Sequence, residues 1–107
     1  MSQASLSTGT RQKIMFKCVT QDKNPVIVVG SVSELGEWNV AGGLPMYAIS
    51  RPQGGYQWTA QAELQQGQTF EYKFVKKTEQ GPRWESGNNR RITVIPVLPT
   101  LDGDFRE

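Results

Sequence analysis

The sequence predicts an all-β fold, an antiparallel β-sandwich or a small barrel. Several short segments alternate apolar and polar residues, clusters of Gly, Pro and Asn separate them at near-regular spacing, and no segment keeps a helical period for ten residues. The length of 107 residues corresponds to one domain. We expect a flexible N-terminal lead-in over residues 1–12, which are rich in Ser, Thr and Gly, and a single domain over residues 13–107.

The predicted strands show either a period of two or a β-branched apolar run. In chain order they cover residues 14–19, 26–29, 57–64, 69–76 and 91–97. The turn signals between them are DKNP, PQGG, QQGQ, EQGP and SGNN. The segment SELGEW is typical of a single helical turn at most.

The period of two also assigns side chains to faces of the predicted sheets. Phe70, Tyr72 and Phe74 share one face, which should line the core, so Lys73 must point from the opposite face. Trp58 is in phase with the apolar residues of its own strand. This phase favours a buried, structural role for Trp58.

The composition excludes several classes of function. The chain has no histidine, which removes His-based zinc sites and the usual Ser or Cys triads, and we expect neither a metal nor a cofactor. Cys18 is the only cysteine, so no internal disulfide exists, and its alternating surroundings predict a small buried side chain. A formal net charge of +2 without blocks of like charge favours neither a nucleic-acid nor a membrane partner.

The sequence also bears on location. It has no apolar run of the ~20 residues that a membrane-spanning helix needs, and its first residues lack the basic-then-apolar layout of a secretory signal. Together with the single cysteine, this pattern favours an intracellular location, in the cytoplasm or a plastid, over secretion, without fixing the compartment.

Two tryptophans stand beside glycine-bearing turns, where strand phase does not direct them inward. Trp38 ends SELGEW, and Trp84 begins WESGNN. An indole offers a flat apolar face that matches the apolar face of a pyranose ring. The sugar hydroxyls need donors and acceptors, which the outward Lys73 and an asparagine amide can supply. Two indoles set at an angle would suit a curved sugar chain.

The segments GSVSELGEWNV, GQTFEYKFVK and RWESGNNR resemble, in order and spacing, the starch-binding domains of carbohydrate-binding module family 20. The resemblance extends over residues 13–96. It implies an immunoglobulin-like antiparallel β-sandwich of about seven to eight short strands. It also implies a principal site made by Trp38 and Trp84, with polar help from Lys73 and Asn89.

The same resemblance implies what the chain does. A domain of this kind binds α-1,4-glucans such as starch, glycogen, maltooligosaccharides or cyclodextrin without cleaving them. It would be a monomer alone and would bring an attached catalytic domain to the polysaccharide.

Many members of this family have a second sugar site built from tyrosines in two loops. In this chain the first loop, TQDKNPV, contains no aromatic residue. Tyr47 and Tyr56 lie in the second region, and Trp58 matches a tryptophan that is sometimes assigned to that site. These three residues are the candidates for a second site, although the strand phase of Trp58 favours the core.

Three alternatives remain open from the residues themselves. A glycosidase would need two carboxyl groups about 5 to 10 Å apart in a cleft; here Glu85 could accept a bond from a sugar hydroxyl, although pairing with a neighbouring arginine is favoured. Single-stranded nucleic acid could stack on Trp84 beside Arg83, Arg90 and Arg91. The third alternative is a protein-interaction module of the same fold that has lost glucan binding.

Overall fold

A computed structural model describes residues 10–96, 100–101 and 103–107, and these residues form eight strands and two short 3-10 helices. The strands are β1 (Arg11–Thr20), β2 (Val26–Gly30), β3 (Leu44–Pro45), β4 (Tyr47–Ser50), β5 (Tyr56–Gln65), β6 (Thr69–Thr78), β7 (Gly81–Trp84) and β8 (Arg90–Thr93). The 3-10 helices are Ser33–Trp38 and Val40–Gly42, so SELGEW does form a short helical segment. The all-β prediction is confirmed.

The strands make two antiparallel sheets that pack face to face. One sheet has three strands in the order β1-β5-β4, and the other has five strands, in which β6 is central. Strand β2 pairs with one edge of β6, while β8 and β7 pair in succession with its other edge. Residues 85–89 connect β7 to β8 and therefore lie beside the middle of β6. The predicted sandwich is confirmed.

The main core lies between the sheets and contains the inward faces predicted from strand phase. Phe70, Tyr72 and Phe74 are all buried, and the Tyr72 ring packs edge-on against Phe16 with 5.3 Å between centroids. Cys18 is fully buried, as predicted. Burial raises the pKa of the Cys18 thiol to about 12, so a reactive thiolate is absent near neutral pH. Because the Cys18 thiol is fully buried, its reduced state does not indicate the redox compartment. The intracellular location stays a prediction.

A second, smaller apolar cluster lies on the outer face of the five-stranded sheet. It consists of Ile27, Val29 and Val75, with Val40 packed against it. All five residues of β2 are consequently buried, because this strand is covered on both faces. In the registers of β6, Val29 is opposite Lys73 and Val75 is opposite Trp84. Directly paired residues share a face, so this outer cluster adjoins both side chains.

The C-terminal residues extend the three-stranded sheet in a way that the sequence did not predict. The Lys17 amide donates to the Leu101 carbonyl at 2.8 Å, and the Phe105 amide donates to the Val19 carbonyl at 3.0 Å. The bridges of this segment with β1 are parallel. The Phe105 side chain joins the main core.

Several boundaries differ from those predicted. Strand β1 begins at Arg11, three residues before the predicted strand and within the predicted lead-in, and residues 1–9 of that lead-in lie outside the described residues. Strand β8 ends at Thr93, well before the predicted end at residue 97, which is also outside them. Strands β3, β4 and β7 were not predicted. Among the described residues no helix has the length and apolar character to cross a membrane, and no three potential metal-binding acidic or thiol side chains cluster.

Candidate functional site

The structure brings Trp38 and Trp84 together, although 45 positions separate them along the chain. Their ring centroids are 6.3 Å apart, and the ring planes are inclined by 38°. The two residues are 36% and 40% exposed, respectively. We call this pair of indoles the tryptophan platform. It presents two adjacent, tilted aromatic surfaces to solvent.

Trp38 reaches the platform through an unusual stretch of backbone. Gly36, Glu37 and Trp38 all have positive φ, at 82°, 49° and 67°. A Cβ on Gly36 would lie 2.6 Å from the carbonyl carbon of Gly42, so only glycine fits there. For the two residues that are not glycine, the left-handed region costs roughly 1 to 2 kcal/mol each. Backbone strain of this kind is concentrated at functional sites.

Trp84 is placed by strand pairing. It is the last residue of β7 and lies opposite Val75 in the register with β6. The sequence predicted a loop position, whereas the structure shows the end of an edge strand. Val75 belongs to the outer cluster, and directly paired residues share a face of the sheet. Trp84 therefore points outward, as predicted.

Lys73 points outward from β6, as strand phase predicted, and its ammonium group is tethered beside the platform. Its Nζ donates to the backbone carbonyl of Glu85 at 3.1 Å, and Glu85 directly follows Trp84. An ammonium group has three donors, so two remain for other acceptors. The tether fixes where those donors lie relative to Trp84.

Asn89 is oriented by a partner that the sequence analysis missed. Its Nδ2 donates to Oε1 of Glu71 at 2.9 Å, and this bond leaves the amide oxygen of Asn89 as an acceptor. Glu71 precedes Lys73 by two residues on β6 and therefore lies on the same face. The strand alternation that predicted an outward Lys73 also predicts an outward Glu71, so Glu71 could have been identified from the sequence. Trp84, Lys73 and Asn89 thus gather along the outer side of β6, and Trp38 joins them through Trp84.

Glu85 is a buried ion-pair partner and does not present its carboxylate to solvent. It is 1% exposed, and both of its carboxylate oxygens accept bonds from the Arg90 guanidinium at 2.8 Å. It also accepts from the backbone amides of Phe74, at 3.0 Å, and Arg106, at 3.3 Å. The bond with Glu85 is the main reason that the pKa of Arg90 is raised. The favoured interpretation of Glu85, pairing with an arginine, agrees with this geometry.

Comparison with known protein families shows which family this chain belongs to. The family model for the starch binding domain matches residues 11–98. The chain belongs to carbohydrate-binding module family 20. The three segments quoted above for this resemblance all lie within the matched residues.

The relatives of this starch-binding domain are much longer proteins. It is 36% identical over 90 residues to Glucoamylase-1 of Arthroderma benhamiae, covering 84% of this chain and 15% of the relative. It is 38% identical over 94 residues to an AA13 family lytic polysaccharide monooxygenase A of Aspergillus terreus, covering 87% and 23%. A cyclomaltodextrin glucanotransferase of Geobacillus stearothermophilus is 37% identical over 74 residues, covering 64% and 10%. The chain spans less than a quarter of each relative.

Solved structures show the same fold. A glycoside hydrolase family 15 glucoamylase from Hypocrea jecorina superposes with a TM-score of 0.82 at 22% identity, covering 94% of this chain and 18% of that one. A gamma-CGTase from Alkalophilic bacillus clarkii gives a TM-score of 0.77 at 29% identity, covering 94% and 16%.

The candidates for a second site are not brought together in this starch-binding domain. Trp58 is 6% exposed, and its indole N–H donates to Oγ1 of Thr20 at 2.9 Å, as a structural residue would. Tyr56 is in phase with Trp58 and packs against the main core. Tyr47 is 75% exposed, and the β4–β5 register pairs it with Thr59, one residue out of phase with Trp58. Tyr47 therefore points from the opposite face of the sheet.

Proposed function

We propose that this domain binds α-1,4-glucans through the tryptophan platform, with Lys73 and Asn89 orienting the sugar hydroxyls. The observation that carries the proposal is the pair of exposed indoles, 6.3 Å apart and inclined by 38°. Each indole can cover the apolar face of one glucose unit, and their inclination follows the curvature of an α-glucan. A flat β-linked chain would fit an inclined pair less well.

The polar residues add orientation more than affinity. Each hydroxyl that bonds to Lys73 or Asn89 first gives up a bond to water, which leaves a net gain of ~1 kcal/mol. With one such site, we expect a stoichiometry near one and a dissociation constant between roughly micromolar and millimolar. Removing Lys73 should cost less affinity than removing either indole of the platform.

The proposed role is binding without cleavage. Glycosidases act with a pair of carboxyl groups that must reach the scissile bond. Beside the platform, the Glu85 carboxylate is buried and bonded to Arg90, and the Glu71 carboxylate accepts from Asn89. In a longer protein, the domain would hold an attached enzyme on the polysaccharide. That glucoamylases and cyclomaltodextrin glucanotransferases are among the relatives supports this role.

The nucleic-acid alternative is weakened by the ion pairs. Arg83 pairs with Glu107 at 2.7 Å, and Arg90 pairs with Glu85. Two of the three arginines near Trp84 in sequence are therefore already engaged. Salt provides a test, because binding to nucleic acid weakens steeply with added salt, whereas binding through uncharged hydroxyls should hardly change.

The test of the proposed function is retention on polysaccharides. The chain should be retained on insoluble starch and by a cyclic maltooligosaccharide, but not on cellulose. Trp38→Ala and Trp84→Ala should each lose about tenfold or more in affinity, since stacking and apolar burial together contribute roughly 1.5 kcal/mol or more per ring. Tyr47→Ala is the matched control, an exposed aromatic outside the platform, and should bind like the wild type.

Calorimetric titration with a maltooligosaccharide gives affinity and stoichiometry together. Equal retention on cellulose, or none on starch, would contradict the proposal. Two equivalent sites, with one lost in Tyr47→Ala, would instead show that Tyr47 belongs to a second binding surface.

A further inference from the structure

The turn that connects β7 to β8, residues 85–89, is held from outside by the C-terminal residues 104–107. The Ser86 amide donates to the backbone carbonyl of Arg106 at 2.8 Å. The guanidinium of Arg106 reaches further and donates through Nη1 to the carbonyl of Asn88 at 2.9 Å. The segment lies beyond the residues that the family model matches.

The ion pair of Glu85 and Arg90 connects the turn to residues 104–107 by hydrogen bonds to charged groups. The Glu85 carboxylate accepts from the Arg106 amide at 3.3 Å, while Arg90 donates to the carbonyl of Asp104 at 2.8 Å as well as to Glu85. The buried Glu85–Arg90 pair is therefore bonded to the C-terminal segment on both of its members. Bonds to charged groups are the stronger ones, which makes this connection a firm one.

The C-terminal segment is itself anchored on both sides of Arg106. Phe105 is buried in the main core, and the Lys76 ammonium lies 4.4 Å from the centroid of its ring. Glu107 forms ion pairs with Lys76 at 2.9 Å and with Arg83 at 2.7 Å. The residues on both sides of Arg106 are therefore held in place, and this fixes the position of Arg106 relative to the turn.

These contacts matter because the turn carries or flanks most of the platform's polar surroundings. Trp84 precedes it, Asn89 ends it, and the Glu85 carbonyl that tethers Lys73 belongs to it. Gly87 in its middle has φ of 87°, and residues 85–89 are outside the strands. Beyond Glu85, whose amide donates to the Phe74 carbonyl of β6 at 3.1 Å, the turn must be ordered by contacts other than strand pairing, or that ordering must occur when the ligand binds, which lowers affinity.

We propose that residues 104–107 are a positioning element of the glucan site, and that Arg106 is its principal positioning residue. In this proposal Arg106 acts through the turn: it fixes the turn so that Trp84, Asn89 and the Lys73 tether are in place before the glucan arrives. The proposal rests on the proposed function for its effect on binding, but the fixed geometry of the turn can be measured without a glucan.

Arg106→Ala is the decisive variant, because it removes the side-chain bond to Asn88 while the backbone bonds to Glu85 and Ser86 can persist. We expect roughly three- to tenfold weaker binding of a cyclic maltooligosaccharide by calorimetry, the size of one lost solvent-exposed hydrogen bond, with little change in melting temperature. Arg106→Lys keeps a cationic donor and should recover part of the affinity. The matched control is Lys13→Ala, which removes one exposed positive charge from the other sheet and should bind normally.

The second readout uses the protein without sugar. In NMR spectra, Arg106→Ala should weaken the close contacts between the Trp38 and Trp84 rings and broaden the amide signals of residues 86–89, and Arg106→Lys should restore them in part. If the wild type binds glucan and Arg106→Ala binds equally well, the positioning role is refuted. If the wild type binds no glucan, the proposed function fails, and unchanged NMR spectra of Arg106→Ala would refute the positioning role separately.

Discussion

At the scale of single residues, three tryptophans show how environment decides role. Trp58 is buried between the sheets, and its indole N–H is bonded to Thr20, so both its apolar ring and its polar group are satisfied by the fold. Trp38 and Trp84 keep more than a third of their surface in solvent, and their rings lie next to each other at a tilt. The same side chain is therefore part of the core in one place and an exposed surface, the proposed binding platform, in another.

Replacing the buried tryptophan should affect stability and leave the platform intact. Trp58→Ala is expected to lower the free energy of unfolding by ~3 to 5 kcal/mol, because it leaves a large cavity and removes one of the hydrogen bonds of the Thr20 hydroxyl. Urea denaturation measures this loss, and the folded fraction should still bind starch.

The comparison variant for this prediction is Trp84→Ala. It should lose starch binding with a much smaller loss of stability, since its ring is only partly covered. If Trp84→Ala unfolds the domain while Trp58→Ala merely weakens binding, then the structural role assigned to Trp58 and the binding role proposed for Trp84 are both wrong.

Strand phase explains which of these residues could be predicted. Lys73 and Trp58 lie on strands of ten residues with clear alternation, so their directions followed from the sequence. The strand β7 that carries Trp84 could not be predicted, because it is short and begins with Gly81 and Pro82, which are typical of a turn. The outward direction of Trp84 was therefore inferred only from its position near a turn. The left-handed stretch that ends at Trp38 contains a close approach between Gly36 and Gly42, and no local sequence pattern reports such an approach.

At the scale of elements, the 3-10 segment Ser33–Trp38 is the part of the site that depends most on one glycine. Gly36 has φ of 82°, and its α carbon is packed against the backbone of Gly42. The following residues turn the chain so that Trp38 meets Trp84. A change at Gly36 therefore acts on the platform without touching either indole.

Gly36→Ala should weaken both folding and glucan binding. The positive φ costs an alanine roughly 1 to 2 kcal/mol, and the clash with Gly42 adds typically 1 to 3 kcal/mol. Thermal denaturation and starch retention measure the two effects.

Gly54→Ala is the matched control for the clash. Gly54 also has positive φ, at 103°, but a Cβ there would meet nothing within 4 Å. This variant should show the cost of φ alone and keep full affinity for starch. Equal behaviour of the two variants would mean that the contact between Gly36 and Gly42 is unimportant.

The elements that the sequence did not predict share a physical reason. Strands β3 and β4 are two and four residues long, and all four residues of β4 are exposed, so no apolar alternation marks them. The pairing of Leu101 and Phe105 with β1 joins residues more than 80 positions apart. Pairing at such separation is decided by the assembled sandwich, and a local pattern of residues does not encode it.

At the scale of the whole molecule, Lys76 connects three separate parts of the chain. It is 1% exposed and forms ion pairs with Asp22, at 2.8 Å, and with Glu107, at 2.9 Å. Burial acts to lower the pKa of Lys76, but the bonds to the two carboxylates raise it overall, so the ammonium stays charged. The same bond to Lys76 is the main cause that lowers the pKa of Asp22 below its usual 3.8.

This lowered pKa gives Asp22 a definite dependence on pH. A carboxyl group whose pKa is lower in the folded than in the unfolded state stabilises the fold fully above the unfolded value. That contribution is lost as the pH falls below 3.8 and through the folded value. Asp22→Asn should therefore be less stable than the wild type at pH 7, by about 1 kcal/mol or less for a partly exposed pair.

Urea denaturation of both proteins at pH 7 and in the range below the pKa tests this expectation. The difference between them should shrink as the wild-type carboxylate becomes protonated. Glu79→Gln, at an exposed turn position, is the control and should show no such convergence. A difference that stays constant with pH would show that the charge of Asp22 does not contribute.

The small apolar cluster on the outer face has a consequence for how the protein loses its function. Since β2 is covered on both faces, this strand and its pairing with β6 cannot open locally without exposing two apolar surfaces at once. Lys73 and Trp84 project from β6 and from the strand paired with it, beside that cluster. The proposed sugar-binding surface is therefore part of a cooperative unit that includes β2 and β6, and binding should persist until this unit unfolds.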